Sequence, residues 1–505
     1  MQINLTLVSH TNVGKTTLAR TLLGQDVGEV RDAPHVTEFA DEHLLLQTDG
    51  GDRLLLWDTP GFGDSARLLR LTQRLRQGER PLGWLLSQVW DRLSDRPFWS
   101  SQQALKAVRG HADVVLYLVN AAESPAAAGY VGPEMDLLAW VGKPVLVLLN
   151  QLGAPRPAAE EAAEVEVWRQ HLAGRAEVRA VLPLDAFARC WVQEDVLLAQ
   201  LASALSGDAR AAMGRLHAAW WAAGEARFDA AMAVLAGSLA RAALDRVPLP
   251  ERGRWRDTAR RLGQALGLPK SDDPAQGAQL ALAARLEDDL RAGTAALVRL
   301  HGLTGDAEAE VLARIAAHFD VRLPVNEGRA AVMGGLLTGA LAGLKADVAS
   351  GGLTMGGGLL AGGLIGALGA AGAARTVNRV KGLHDGGFVA WTEAALAAQA
   401  EAALLRYLAV AHFGRGRGDW AAGEAPPHWR HEVAEVMLPR QARLAALWAR
   451  RDARADADAP DLAAALQPVL ADAARALLQR LHPRDSASNP ARGIPSPPTG
   501  HNPPP

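Results

Sequence analysis

The chain has 505 residues, too many for one hydrophobic core, so at least two domains are expected. Its 53 Lys and Arg nearly balance 55 Asp and Glu, for a net charge of −2, which argues against nucleic acid as a partner and leaves any charged-surface contact to local patches. The single cysteine, Cys190, excludes an internal disulfide and has no partner at zinc-ligand spacing, consistent with a reducing cytoplasm.

Up to about residue 205, short apolar runs at 2–8, 43–48, 53–57, 113–119, 144–149 and 178–182 alternate with helix-like stretches. That is the pattern of a doubly wound α/β sheet. The first run starts without a basic segment and apolar core ahead of it, so no signal peptide is expected. It leads into Ser9-His10-Thr11-Asn12-Val13-Gly14-Lys15-Thr16-Thr17 and then a helical stretch. A strand, a tight loop and a helix N-terminus form a phosphate cradle, because backbone N–H groups and the helix dipole face the anion. Lys15 would bridge the β- and γ-phosphates, and the Thr16 hydroxyl would coordinate Mg²⁺.

About 40 residues further on, the buried run Leu54-Leu55-Leu56-Trp57 ends in Asp58-Thr59-Pro60-Gly61-Phe62. At a strand end, Asp-x-x-Gly lets the Asp58 carboxylate hold a Mg²⁺-bound water and the Gly61 N–H touch the γ-phosphate. Between the two motifs, Thr37 lies in a polar stretch where it either closes over the γ-phosphate and Mg²⁺ or is a solvated loop residue. Residues 64–110 are too long for a loop and contain Trp84, Trp90 and Trp99, which predicts an inserted helical element.

Asn-Val-Gly-Lys-Thr-Thr-Leu together with Trp-Asp-Thr-Pro-Gly-Phe resembles the bacterial Era/TrmE-like P-loop GTPases. The layout is similar to family members that carry a C-terminal helical domain of unknown function. The resemblance implies an N-terminal α/β P-loop NTPase fold, a G domain over 1–205, with GTP as substrate and Mg²⁺ as cofactor. It assigns catalysis to Lys15, Thr37 and Gly61, nucleotide binding to Asn12, Val13, Gly14, Lys15, Thr16 and Thr17, and the metal to Thr16, Thr37 and Asp58. Asn12 falls where some relatives place an asparagine that helps bind K⁺. Phe62 stands where Ras-like enzymes carry the glutamine that orients water, and a phenyl ring cannot do that. Slow turnover, raised by a cation, by homodimerisation or by an activating protein, is the expectation.

The sequence departs from the family pattern twice. Ser9 replaces the first glycine of the loop, which predicts strain or a shifted turn there. After the strand at 144–149, Asn150-Gln151-Leu152-Gly153 replaces Asn-Lys-x-Asp, so the carboxylate that reads guanine is missing. Asn150 can tie this segment to the phosphate loop and Gln151 can lie against the base. In the next βα loop Ala186 N–H would meet the base oxygen, and Asp185 either supplies the lost acceptor or caps a helix.

From Asp208 on, Ala, Leu and Arg at helical spacing over 208–246, 276–301, 307–318, 388–412, 428–450 and 460–481 predict an almost wholly α domain over 206–482. Its tryptophans read as core anchors, and His428 and His431 as surface residues. Within it, Gly335, Gly339, Gly343 and Gly358, Gly362, Gly366 form two ladders in a Gly-rich hairpin at 330–374. No charge occurs from Val348 to Ala374, and Arg329 and Arg375 flank the segment, so it reads either as a hairpin in a bilayer or as a close-packed hairpin in water. A cytoplasmic protein associated with the inner membrane, or a nucleotide-assembled membrane scaffold with relaxed base specificity, follows from the first alternative. The Pro-, Ser- and Asn-rich stretch 483–505 is expected to be disordered.

Overall fold

The computed structural model describes residues 1–23, 40–77, 95–152, 156, 158–184, 191–248, 274–303, 377–381, 387–412, 427–453 and 458–482. The expectations for Thr37, Gly153, Asp185, Ala186, Trp84, Trp90, the helix at 307–318, the hairpin at 330–374 and the tail at 483–505 lie outside these residues.

The N-terminal part contains, in chain order, β1 (Gln2–Ser9), α1 (Lys15–Leu23), β2 (Asp41–Gln47), β3 (Arg53–Asp58), α2 (Ser65–Gln77), α3 (Arg96–His111), β4 (Val114–Asn120), α4 (Val131–Val141), β5 (Val145–Asn150), α5 (Ala158–Leu172), β6 (Val178–Pro183) and α6 (Trp191–Ala204). The strands form one sheet in the order β2-β3-β1-β4-β5-β6. Only β2 runs antiparallel to its neighbour. Each predicted strand is present, and the reason is local. The run Val114-Val115-Leu116-Tyr117-Leu118-Val119 is β-branched or aromatic on alternate positions and buried on both faces, as a central parallel strand requires.

Alternation divides the sheet into two cores. Val115, Tyr117, Val119, Val147 and Leu149 face Phe62, Leu68, Phe98, Leu105 and Met135 on one side. Leu5, Leu7, Leu116, Leu118 and Leu148 face Leu18 of α1 and Leu197 and Leu201 of α6 on the other. The predicted helical element at 64–110 is seen at its two ends, as α2 and α3.

The C-terminal part comprises α7 (Gly207–Leu244), β7 (Arg246–Pro248), α8 (Pro274–Leu300), β8 (Val377–Lys381), β9 (Gly387–Trp391), α9 (Glu393–Ala411), α10 (Pro427–Met437), α11 (Gln441–Ala453) and α12 (Ala459–Leu481). The described part of this half is mostly helical, as expected, with a small three-stranded sheet, β7-β9-β8, added to it. The run expected to be helical from 388 opens as a strand, Gly387-Phe388-Val389-Ala390-Trp391, paired on both edges. Thr392 then ends it by accepting the Ala395 N–H at 3.1 Å as the N-cap of α9. The expected helix at 428–450 is divided by a 3-10 turn at Leu438–Arg440, where Pro439 removes a backbone donor. Trp391, Trp429 and Trp448 are buried in the helical core, as their spacing suggests.

Among the described residues one helix, α9, is long and apolar enough to cross a bilayer, and 72% of its apolar window is buried inside the fold. It also carries Arg406, whose burial lowers its pKa to about 10.

Candidate nucleotide site

The phosphate loop leaves β1 at Ser9 and enters α1 at Lys15, with Leu18 N donating to the Gly14 carbonyl at 2.9 Å to begin the helix. Two residues take left-handed backbone: Asn12 at φ 65° and Gly14 at φ 91°. The predicted strain therefore falls on Asn12 and not on Ser9. At Gly14 a side chain is excluded twice, by the dihedral and because a Cβ would stand 2.8 Å from Asn150 Nδ2. That nitrogen donates to the Val13 carbonyl at 2.7 Å, so Asn150, fully buried at the end of β5, ties the βα loop to the phosphate loop as expected. The adjacent Gln151 adopts φ 59°, and its amide lies 4.0 Å from the same Gly14 position. Thr17 is buried on α1, while Asn12 is exposed at the loop apex.

Ser9 makes a virtue of its departure from the family pattern. Its hydroxyl, wholly buried, accepts Lys15 Nζ at 2.9 Å and donates to the His10 carbonyl. The lysine is thus held inside the loop. Burial lowers the Lys15 pKa, while the negative charges of Asp58 and Glu134 oppose that shift.

Asp58, the last residue of β3, accepts the Thr16 hydroxyl at 2.6 Å through Oδ2. Its Oδ1 is buried with no hydrogen-bond partner among the described residues. Burial raises the Asp58 pKa, and the Thr16 bond and the Lys15 charge oppose that. An orphaned carboxylate oxygen beside a threonine hydroxyl is the donor set a hard divalent cation takes, so the residues present fit Mg²⁺. Among the described residues no cluster of three or more His, Cys, Asp or Glu is placed to hold a metal.

Gly61 lies over the lysine: a Cβ there would meet Lys15 Nζ and the Thr11 Cα, each at 3.0 Å. The loop it belongs to is zipped to the phosphate loop by Thr11 N–H on the Phe62 carbonyl at 3.2 Å and Phe62 N–H on the Ser9 carbonyl at 2.9 Å. The Phe62 ring is fully buried in the core beneath α2 and α3. A phenyl ring offers no hydrogen-bonding group to orient a water.

A family model described as "50S ribosome-binding GTPase" matches residues 4–151, the stretch that holds every motif just described. Residues 4–151 are a P-loop GTPase domain of the kind that model describes. The GTPase Der of Deinococcus deserti is 26% identical over 162 residues, which take in 32% of this chain and 29% of that protein. Among solved structures, Aquifex aeolicus Era bound to GDP.AlF4- is 18% identical, covering 36% of this chain and 51% of Era at a TM-score of 0.27. Era in complex with MgGDPNP and nucleotides 1506–1542 of 16S ribosomal RNA is 17% identical over the same shares at 0.28. The chain spans less than a third of the curated relative and about half of the Era chains.

These findings overturn the exclusion of nucleic acid drawn from net charge. The Era neighbour holds ribosomal RNA, and a whole-chain charge of −2 averages over patches that act locally.

The GTPase domain also holds residues that motif reading misses. Glu134, Tyr117, Ser65 and Ser101 form a polar layer beneath the two loops, with Ser101 Oγ accepting the N–H groups of Gly63 and Asp64 at 3.0 Å each. The available signal is an acid on the apolar face of a helix, Glu134 beside Val131, Met135 and Leu138.

Proposed function

We propose that the chain hydrolyses GTP to GDP and phosphate slowly, as a nucleotide-dependent switch whose output is the helical half. The observation that carries this reading is the cradle of Lys15, Thr16 and Asp58, with one Asp58 oxygen left without a partner among the described residues. The Val13 and Gly14 backbone would cradle the phosphates, Lys15 would leave Ser9 for the β- and γ-oxygens, and the Gly61 N–H would meet the γ-phosphate. Thr16, Asp58 and Thr37 would hold Mg²⁺, which supplies charge neutralisation at the phosphate oxygens when bound. Slow turnover is supported by Phe62, whose ring is buried in the core and leaves no amide to orient water. An added group would then come from K⁺ beside Asn12, from a second copy or from an activating protein. Base reading rests on Gln151, Asp185 and Ala186, since the aspartate of the family motif is Gly153 here.

Turnover of GTP and ATP by the full chain, in K⁺ and in Na⁺, tests this. GTP hydrolysis faster in K⁺ and absent with ATP is the expected result; equal use of both nucleotides defeats the guanine assignment, and fast turnover by dilute monomer in Na⁺ defeats the slow switch.

A second reading, a membrane-tethered scaffold at the cytoplasmic face that uses nucleotide for assembly, is favoured by the uncharged glycine ladders of 330–374. Flotation with anionic vesicles, with and without that segment, distinguishes it; a full chain that stays with the aqueous fraction refutes it.

A further inference from the structure

Beneath the phosphate loop lies a carboxylate that the nucleotide chemistry does not use. Glu134 on α4 is fully buried, on a helix whose other inward residues, Val131, Met135 and Leu138, are apolar. Burial pushes its pKa up, and three donors oppose the shift. With Nδ1 carrying the proton, His10 donates to Oε1 at 2.8 Å; the Tyr117 hydroxyl donates to Oε2 at 2.7 Å; the Ser65 hydroxyl completes the set. The His10 ring also stacks on Tyr130, just before α4, at 4.5 Å and 18°.

The donors belong to the two loops that must act together on a γ-phosphate. His10 sits in the phosphate loop next to Ser9, the acceptor of Lys15. Ser65 opens α2, a few residues past Gly61. Above the carboxylate the same two loops are joined by the His10 and Phe62 bridge. A buried acid bonded to both loops makes them one body, because moving either leaves a desolvated charge short of a donor.

We propose that Glu134 is a positioning residue for γ-phosphate recognition: its carboxylate pins His10 and Ser65 to α4 so that Lys15 and Gly61 meet the γ-phosphate in a fixed mutual geometry. It touches no nucleotide itself. The proposal deepens the GTPase reading and rests on it. GDP, which lacks the γ-phosphate, does not meet Gly61 and is indifferent to its alignment. GTP requires both loops.

The test uses the full chain and four quantities: kcat, KM, and the affinities for GDP and for a non-hydrolysable GTP analogue, with a thermal midpoint for each variant. Glu134→Gln keeps the shape but sets an amide donor against His10 or Tyr117; it should lower kcat and analogue affinity about tenfold while GDP affinity stays within about twofold. Ser65→Ala, which frees only the Gly61 side, should lower analogue affinity by about threefold and leave GDP binding unchanged. Adding His10→Gln to Glu134→Gln re-forms a neutral amide link and should recover part of kcat, which a merely structural role would not produce. Should Glu134→Gln fail to fold, Ser65→Ala and His10→Gln carry the same comparison. Wild-type kcat in these variants, or an equal loss of GDP and analogue affinity, overturns the proposal. A wild-type chain that binds no GTP overturns the GTPase reading as well, and is seen before any variant is made.

Discussion

Truncating Asn150 probes a side chain that joins the base-side loop to the phosphate loop. Asn150 is fully buried and donates to the Val13 carbonyl at 2.7 Å, and its amide fills the space that a Cβ on Gly14 would enter. Asn150→Ala leaves that carbonyl without this donor in a dry setting, at a cost of about 1–3 kcal/mol. Val13 and Gly14 supply the backbone that faces the phosphates, so the cost should appear as loop displacement. At about 1.4 kcal/mol per tenfold, nucleotide affinity should fall about 5- to 150-fold. Asn150→Asp is isosteric and sharper, because the ionised form opposes oxygen to oxygen. Burial raises the introduced carboxyl's pKa and its protonated form can donate, so affinity in that variant should recover as pH falls. Titration with a fluorescent GDP, from pH 8 down to pH 6, reads both effects. If Asn150→Ala binds GDP as the wild type does, the tie between these loops has no part in holding nucleotide.

Asp58 is raised in pKa by burial, so its ionised form weakens the fold as pH rises past the ordinary value of 3.8. Asp58→Asn should therefore raise the nucleotide-free melting temperature at pH 7 while abolishing Mg²⁺-dependent turnover; a lowered midpoint contradicts the buried-charge argument. Asp52 is the opposite case: the Arg215 hydrogen bonds, at 2.7 and 3.1 Å, hold its pKa at about 2. Its contribution is complete above about pH 4 and lost as pH falls toward 2, so Arg215→Ala should flatten the melting curve against pH in that window. In the helical core His412 and His482 face each other, Nε2 to Nε2, at 2.8 Å, and burial lowers their pKa values to about 4 and about 3. The unfolded chain takes up these protons near pH 6.5 and the folded chain does not, so stability should fall from pH 6.5 toward 4. His482→Gln should reduce that fall, and an unchanged acid limb would place the sensitivity elsewhere.

Much of the GTPase domain is legible in the sequence because its signals are local. Apolar runs such as Val145 to Leu149 are buried on both faces and announce themselves; Gly14, Lys15 and Thr16 are adjacent, and Asp58 ends a strand. What escapes is held together by distance along the chain. Glu134 and His10 are 124 positions apart, and nothing near either residue betrays the other. Ser9 reads as a lost glycine until the lysine is found bonded to it, since one lies at the strand end and the other at the helix start. The small sheet pairs Arg246–Pro248 with Gly387–Trp391, and the short apolar run at 388–391 fits a helix start as well as a strand until its partner is known.

The join between the two parts follows from the same physics of burial. Composition turns Ala- and Arg-rich near residue 206, and there α7 begins, 38 residues and about 57 Å long. Its early residues Ala212, Met213 and Leu216 complete the core beneath β1 and β4, while Phe228, Met232 and Leu235 belong to the helical core. Among the early residues Arg215 grips Asp52 in the turn between β2 and β3, the second of which ends in Asp58. A helix owned by two cores cannot tilt freely in either. Displacement of the β2–β3 turn must therefore be absorbed by breaking the Arg215 pair or by carrying α7 with it, and the second course repacks Phe228 against Tyr407, its edge-on neighbour at 5.8 Å on α9. The long helix is thus the part of the chain where rearrangement at the nucleotide site and packing in the helical half bear on the same residues.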